Sequence, residues 1–497
     1  MSGADAEEDK LVKAQATEPP RKAGGSNVGD EVRYDHDALG SIAIPGEALY
    51  GSNAARAATN FAISGRLLGS SPYFVKAFAW LKAAAALANA ELGTLDPSIS
   101  DAVVKAAREM GDGALNAHLI VDMFEGSGGT SLNMNVNEVL ANRGLQLMGL
   151  RPGAYEHLHP NDHVNCGQST NDVVPSAIKL GCWFMLNELV TELDQLAAVF
   201  HRKAIEAARM LRLGRTCFQD AQPMTLGQAF GADASLVERL ASQLRDRKEE
   251  LRHLPMGATA IGTGFGAVPG YREKVFEAMA CLTGENFLPA ANLFDALANG
   301  DVYSRLSGEL RNTGVGLAKI ANDFILLSSG PTGGVAELVL PTLQPGSSIM
   351  PGKVNPVLPM AVCQLGFTLT GYDVIVASAV QQGQFEINPY EPVVAFHLFE
   401  SLKLLINGVR LFRELCVEGI EPQVERMRQN LMESSAIATA FLPIIGYDKT
   451  SKLVRRSLQE GKPFITLVEA EGLMGGDEAV ALIYRAVGLA PDGDLPA

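Results

Sequence analysis

Four stretches of the chain concentrate small hydroxyl and amide side chains against a background of Leu- and Ala-rich segments. They are Gly129-Thr130-Ser131-Leu132-Asn133-Met134-Asn135, Gln168-Ser169-Thr170-Asn171-Asp172, Gly214-Arg215-Thr216-Cys217-Phe218-Gln219-Asp220, and Gly346-Ser347-Ser348-Ile349-Met350-Pro351-Gly352-Lys353-Val354-Asn355-Pro356. Taken singly, each suits a helix N-cap, where Ser, Thr, Asn and Asp satisfy orphan backbone N–H groups. Brought together by a rigid bundle, the same groups with one lysine and no metal-ligand spacing make a pocket of convergent donors for a carboxylate. The last stretch is the most specific. Gly346, Pro351 and Gly352 shape a loop whose N–H groups can turn inward, Ser347 and Ser348 supply hydroxyls, and Lys353 and Asn355 follow at once.

Long helices must position these stretches. Trp183, Leu186, Val190, Leu193, Ala197, Phe200 and Ala204 recur at steps of three and four, an apolar stripe on one helix face, and Leu306, Leu310, Leu317, Ile320, Phe324 and Leu327 form another. Segments near 72–93, 100–123, 231–252, 358–385 and 395–417 also read as long helices, and 33–45 as a small loop or hairpin. Alternating β-branched runs are few, so the fold class is mainly α, an elongated bundle with antiparallel neighbours and crossover connections. Gly and Pro punctuation marks loops at 126–129, 257–270 and 346–352, and shorter helices after about Glu421 suggest a small C-terminal domain.

Composition narrows the partners. The chain of 497 residues carries 41 Lys and Arg against 56 Asp and Glu, a net charge of −15. That balance argues against duplex nucleic acid or an anionic membrane as the main partner, since both reward a basic surface, but it leaves anionic small molecules open. The 6 cysteines are scattered singly, which disfavours disulfides and structural zinc. Cys217 has no evident His or Asn partner in its neighbourhood, which weighs against a thiolate nucleophile. The 8 histidines show no ligand spacing, and His157, His159 and His163 read as surface groups. Residues 1–30 read as a disordered acidic tail without an apolar signal stretch, pointing to the cytoplasm. The uncharged run 354–372 has the length of a membrane span, yet it contains Asn355, Pro356, Pro359 and Gln364 and reads as a buried soluble helix.

The segment 346–355 matches GSSxMPxKxN in full, the hallmark of the aspartase/fumarase superfamily, and the other three stretches follow in that family's order and spacing. From about residue 33 to about residue 474 the chain resembles this superfamily. The GTSxNMN form at 129–135, the segments 327–331 and 356–359, and Phe385-Glu386-Ile387-Asn388 leading to Glu391-Pro392 are similar to the aspartase branch, whereas 294–298 is closer to fumarase. The resemblance implies a three-domain aspartase/fumarase-type fold: an N-terminal domain over 31–169, a central long-helix bundle over 170–425 and a small helical domain over 426–497. It further implies a homotetramer with a twenty-helix core and active sites each shared by three subunits.

The implied reaction turns L-aspartate reversibly into fumarate and ammonia, with no cofactor and no metal. Ser347 would be the base that removes the C3 proton. Thr130, Ser169, Thr170 and Ser348 would donate to the carboxylate that takes up the resulting charge, as an aci-carboxylate. Lys353, Asn355 and Thr216 would hold the other carboxylate, Asn171 would reach the leaving group, and Arg56 would help hold a carboxylate. Two positions depart from the family pattern: Cys217 stands where many members have His, and Met360 lies where an acidic residue is common. An uncharged pair beside the leaving group suits ammonium less well. The alternative is therefore a fumarate-forming lyase acting on malate or another 2-substituted succinate.

Overall fold

A computed structural model describes residues 32–489, and the expected tail over 1–30 lies outside the described residues. The chain opens with an antiparallel hairpin, β1 (Val32–Asp37) and β2 (Gly40–Pro45), as the sequence suggests for this region. Helices α1 (Ser52–Asn60), α2 (Pro72–Glu91), α3 (Pro97–Gly111), α4 (Thr130–Leu147) and α5 (Thr170–Glu206) follow. A second hairpin, β3 (Leu211–Thr216) and β4 (Gln219–Thr225), leads to α6 (Leu226–Glu250), α7 (Tyr271–Thr283), α8 (Leu293–Ala298) and α9 (Asp301–Leu327). Then come α10 (Val357–Val380) and α11 (Glu391–Phe412). The shorter α12 (Val424–Glu433), α13 (Ala438–Ile445), α14 (Tyr447–Glu460), α15 (Phe464–Ala470) and α16 (Gly476–Ala486) complete the described chain.

Two compact units emerge, one from residues up to Met185 with Lys248–Ser304 and Ile375–Glu400, the other from Leu186–Arg247, Arg305–Val374 and Ser401 onward. In the first unit, α2 is buried nearly all round; its run of alanines lets neighbours approach closely, and Phe74 stacks on Phe78 and Phe399 with centroids 4.7 and 4.9 Å apart. In the second unit, Phe200, Phe230, Phe324 and Phe412 form a ladder of rings 5.9 to 6.3 Å apart. The short C-terminal helices share a core of Leu431, Phe441, Leu453, Phe464 and Ile483 with Leu211 and Leu213 of β3.

Three expectations need correcting. The helix expected over 100–123 stops at Gly111, because Asp112 N donates to Arg108 O and Gly113 N to Met110 O, with Gly113 at φ +86°. The polar stretch 214–220 is not a helix end: it forms the tip of the β3–β4 hairpin, with Cys217 and Phe218 both at positive φ, 52° and 59°. The third concerns the run 354–372, which is no fully buried helix: α10, one of three described helices long and apolar enough to cross a membrane by length and composition, has only 28% of its apolar window buried. It carries two seams at alternating three- and four-residue steps. Pro359, Val362, Gly366, Leu369, Asp373 and Val376 are covered, whereas Met360, Gln364, Phe367, Gly371, Val374 and Ser378 are open. Phe367 is 72% exposed and Val374 62%.

Candidate active site

In the first unit, two of the four stretches come together. Gly129 takes φ +89° immediately before α4, and a Cβ there would lie 2.9 Å from Val174, so only glycine makes this entry. The Glu125 carboxylate accepts from the N–H groups of Ser127 and Gly129, which fixes the turn and leaves Thr130 exposed on the first helical residue. The second stretch opens α5 with a reciprocal cap: the Asp172 carboxylate accepts from Ser169 N at 2.9 Å, and Ser169 Oγ accepts from Asn171 N at 3.2 Å. The Ser169 proton is thereby left to donate. Thr170 Oγ1 accepts from Asn133 Nδ2 of α4 at 3.3 Å, the link that joins the two stretches.

Asp172 is fully buried and also accepts from Gly257 N and Thr259 N, at 3.1 and 2.9 Å. Burial pushes its carboxyl up to about 7, against these donors and Lys82. Asn171 Nδ2 donates to Ala260 O at 2.7 Å, which leaves its Oδ1 as an acceptor. Arg56 makes a bidentate pair with Asp37, at 2.7 and 3.1 Å, and donates to Gly40 O. The start of α1 is in turn anchored by buried Glu138, which accepts from the N–H groups of Gly51, Asn53 and Ala54. Two imidazoles of the 157–163 segment cap their own backbone: His159 Nδ1 accepts from Asn161 N and Asp162 N, and His163 Nδ1 from His159 N.

In the second unit, the loop 346–355 is closed by backbone and amide bonds. Gly346 N donates to Lys353 O at 2.8 Å and Asn355 Nδ2 to Gly346 O at 2.8 Å. A Cβ on Gly346 would sit 2.6 Å from Lys353 O, so the closure demands glycine. Inside it, Ser347 Oγ accepts from Ile349 N at 3.2 Å and Met350 N at 3.1 Å. Two N–H groups aimed at one hydroxyl oxygen favour its deprotonated form. Ser347 and Lys353 line a hollow of about 500 Å³ with Thr342, Gln344, Met350 and Val354. Ser348 and Lys353 are exposed.

Buried Glu337 holds the base of the β3–β4 hairpin. It accepts from Arg215 at 2.7 Å and Asn430 at 3.0 Å and pairs with Arg212 at 3.2 Å. Thr216 and Cys217 then stand exposed at the tip, where consecutive left-handed residues give the turn that matches the strand twist. Met360 lies on the open seam of α10, 49% exposed. Lys82, Glu125 and Glu337 escaped the reading of the motifs; a lone lysine inside Trp80-Leu81-Lys82-Ala83-Ala84-Ala85-Ala86 is the one signal that marks the first of them.

The chain matches the family model described as Lyase over residues 40–371. It belongs to the aspartase/fumarase superfamily. Among superfamily relatives, it is 43% identical to the aspartate ammonia-lyase of Helicobacter pylori strain J99, over 87% of this chain and 92% of that one. It is 40% identical to the aspartate ammonia-lyase of Escherichia coli K12, over 90% and 93%. Of the solved structures in the superfamily, a fumarate lyase:delta crystallin from Brucella melitensis superposes with TM-score 0.88 at 38% identity, covering 92% of this chain and all of that one. A class II fumarase from Schistosoma mansoni gives 0.86 at 34% identity, with 92% of this chain covered and all of that one. The mainly helical fold expected from the sequence is the superfamily's own.

A pH effect on stability arises at Glu391, which opens α11 and is buried. Burial raises its carboxyl to about 8, against the attraction of Lys179. Between its ordinary value of 4.5 and 8 the folded chain keeps a proton that the unfolded chain releases, so stability falls as pH rises through that window. Denaturation from about pH 5 to about pH 8 is expected to show wild type losing up to about 1.4 kcal/mol per pH unit relative to Glu391→Gln. Parallel pH profiles for the two proteins would contradict it.

Proposed function

We propose that this chain converts L-aspartate reversibly to fumarate and ammonia by abstraction of the C3 proton. The observation that carries the reading is the 346–355 loop, in which two backbone N–H groups converge on Ser347 Oγ beside the free side chain of Lys353. Agreement with aspartate ammonia-lyases at 40–43% identity over most of the chain supports the choice of substrate.

The chemical obstacle is the first step. A proton beside an ionised carboxylate is very weakly acidic, because its removal puts a second negative charge into the same two oxygens. Ser347 takes the proton as an alkoxide stabilised by its two N–H donors and by the Lys353 charge. Thr130, Ser169, Thr170 and Ser348 donate to the doubly charged aci-carboxylate, and such fixed donors are worth roughly 10²–10³ in rate each. Lys353, Asn355 and Thr216 hold the other carboxylate, with Arg56 as a further cation. The electron pair left at C3 then forms the C2–C3 double bond, the C2–N bond breaks, and ammonia leaves with that bond's pair past Asn171 Oδ1, Cys217 and Met360.

The open seam of α10, with Met360, Phe367 and Val374 exposed on one face, supports assembly into a homotetramer whose central helices cover it, because exposed apolar helix faces mark interfaces. In that assembly each site draws residues from three copies, and the 346–355 loop of one meets Thr130 and Ser169–Asn171 of others. The partner implied is a small C4 dicarboxylate, in the cytoplasm, with neither nucleic acid nor membrane involved. Purified protein mixed with L-aspartate at alkaline pH is expected to generate the ultraviolet absorbance of fumarate. No absorbance from L-aspartate, with turnover of malate or another 2-substituted succinate, would favour the second reading, whose motive is the uncharged Cys217 and Met360.

A further inference from the structure

Behind Ser169–Asn171 lies a buried polar cluster that the steps above leave unused. Lys82 sits in the middle of α2 with its side chain fully buried. An unpaired amine there would be expensive, so its partners matter. Its Nζ donates to Asn165 Oδ1 at 3.0 Å and to Gln168 Oε1 at 2.9 Å. Burial pushes Lys82 down to about 7, with Asp172 pulling the other way, and two N–H groups serve the two acceptors in either protonation state. Asn165 Oδ1 accepts further from Asn133 Nδ2 at 3.2 Å and Asn137 Nδ2 at 3.1 Å, and Asn133 Nδ2 reaches on to Thr170 Oγ1 at 3.3 Å.

The direction of these bonds has a chemical consequence. Lys82 offers N–H groups toward Asn165, so the Asn165 amide presents its oxygen to the cluster. Asn133 must then present its NH2, and one of those hydrogens occupies a lone pair of Thr170 Oγ1. The Thr170 proton is thereby left to donate elsewhere. Without Lys82 the Asn165 orientation rests on its Nδ2 donating to Gln168 O at 3.2 Å and on the Asn137 amide, and joint rotation of the Asn165 and Asn133 amides becomes easier. Asn133 Oδ1, which is buried without a partner, would then accept the Thr170 proton and take it from the substrate.

We propose that Lys82 is a positioning residue for the lyase reaction: through Asn165 and Asn133 it holds the Thr170 hydroxyl with its oxygen capped and its proton turned toward the substrate carboxylate. This rests on the reading of Thr170 as a donor to that carboxylate. The test is steady-state kinetics on full-length Lys82→Met, Thr170→Val and the double variant. A donor used mainly in the transition state acts on kcat, so Lys82→Met is expected to lower kcat about tenfold with KM for L-aspartate within about twofold of wild type. In the Thr170→Val background the same change lowers kcat no further, since both act on one group. Lys82→Gln, which keeps two N–H donors, restores most of the rate.

An equal kcat loss in both backgrounds, an unchanged kcat in Lys82→Met, or a change in KM alone overturns the role of Lys82 and leaves Thr170 as assigned. An unchanged kcat in Thr170→Val overturns the assignment of Thr170, and the role of Lys82 with it. Should Lys82→Met fail to fold, Asn133→Asp removes the N–H that caps Thr170 and is read in the same two backgrounds.

Discussion

Ser347→Ala is expected to lower kcat for fumarate formation by roughly 10²–10⁴-fold, the ordinary worth of a positioned base, with KM for L-aspartate changed little. The hydroxyl oxygen is the single acceptor on which Ile349 N and Met350 N converge, and no other side chain of the loop can take a proton from carbon and be stabilised in the same way. The loop is closed by Gly346 N to Lys353 O and by Asn355 Nδ2 to Gly346 O, neither of which involves the serine hydroxyl, so the alanine variant keeps that closure while losing the two bonds from Ile349 N and Met350 N. Exchange of the C3 proton of L-aspartate with deuterated water should disappear together with turnover. Exchange that persists at the wild-type rate in Ser347→Ala would move the base elsewhere.

Phe367→Glu is expected to break the assembly and abolish activity together. Phe367 stands near the middle of the open seam of α10, with Met360 and Gln364 before it and Val374 after it. In the proposed tetramer copies of the chain cover that seam and would bury the ring, and each copy repeats the substitution, so an unpaired carboxylate would be desolvated several times per particle. The loss is several kcal/mol for each buried charge, as for breaking a buried pair. Sedimentation at micromolar concentration should show species smaller than the tetramer, with activity falling in step. A fully active Phe367→Glu monomer would contradict sites shared between copies.

Much of this was readable from residue order, and the exceptions have physical causes. The stripes along α5 and α9 and the loop at 346–352 follow from spacing and punctuation alone, because apolar period and Gly/Pro placement are local properties. The tip after Thr216 reads in sequence as a helix end, since two non-glycine residues in left-handed conformation, Cys217 and Phe218, carry no signature of a turn. Asn133 and Asn137 look like cap or loop residues, yet they are buried inside α4, where tertiary partners override propensity. The second seam of α10 is as regular in sequence as the first, and only the fold shows which of the two is covered.

Mixing two inactive variants tests the central claim most directly: that the Ser347 loop and the Thr130 turn act in one site assembled from different copies. Ser347→Ala and Thr130→Val, each purified alone, are denatured together at equal concentration and allowed to reassemble. Sites that draw Thr130 from one variant and Ser347 from the other are intact, so about one quarter of wild-type activity should return under random assembly. A mixture that reassembles to the same size and stays as inactive as its parents would contradict the shared site.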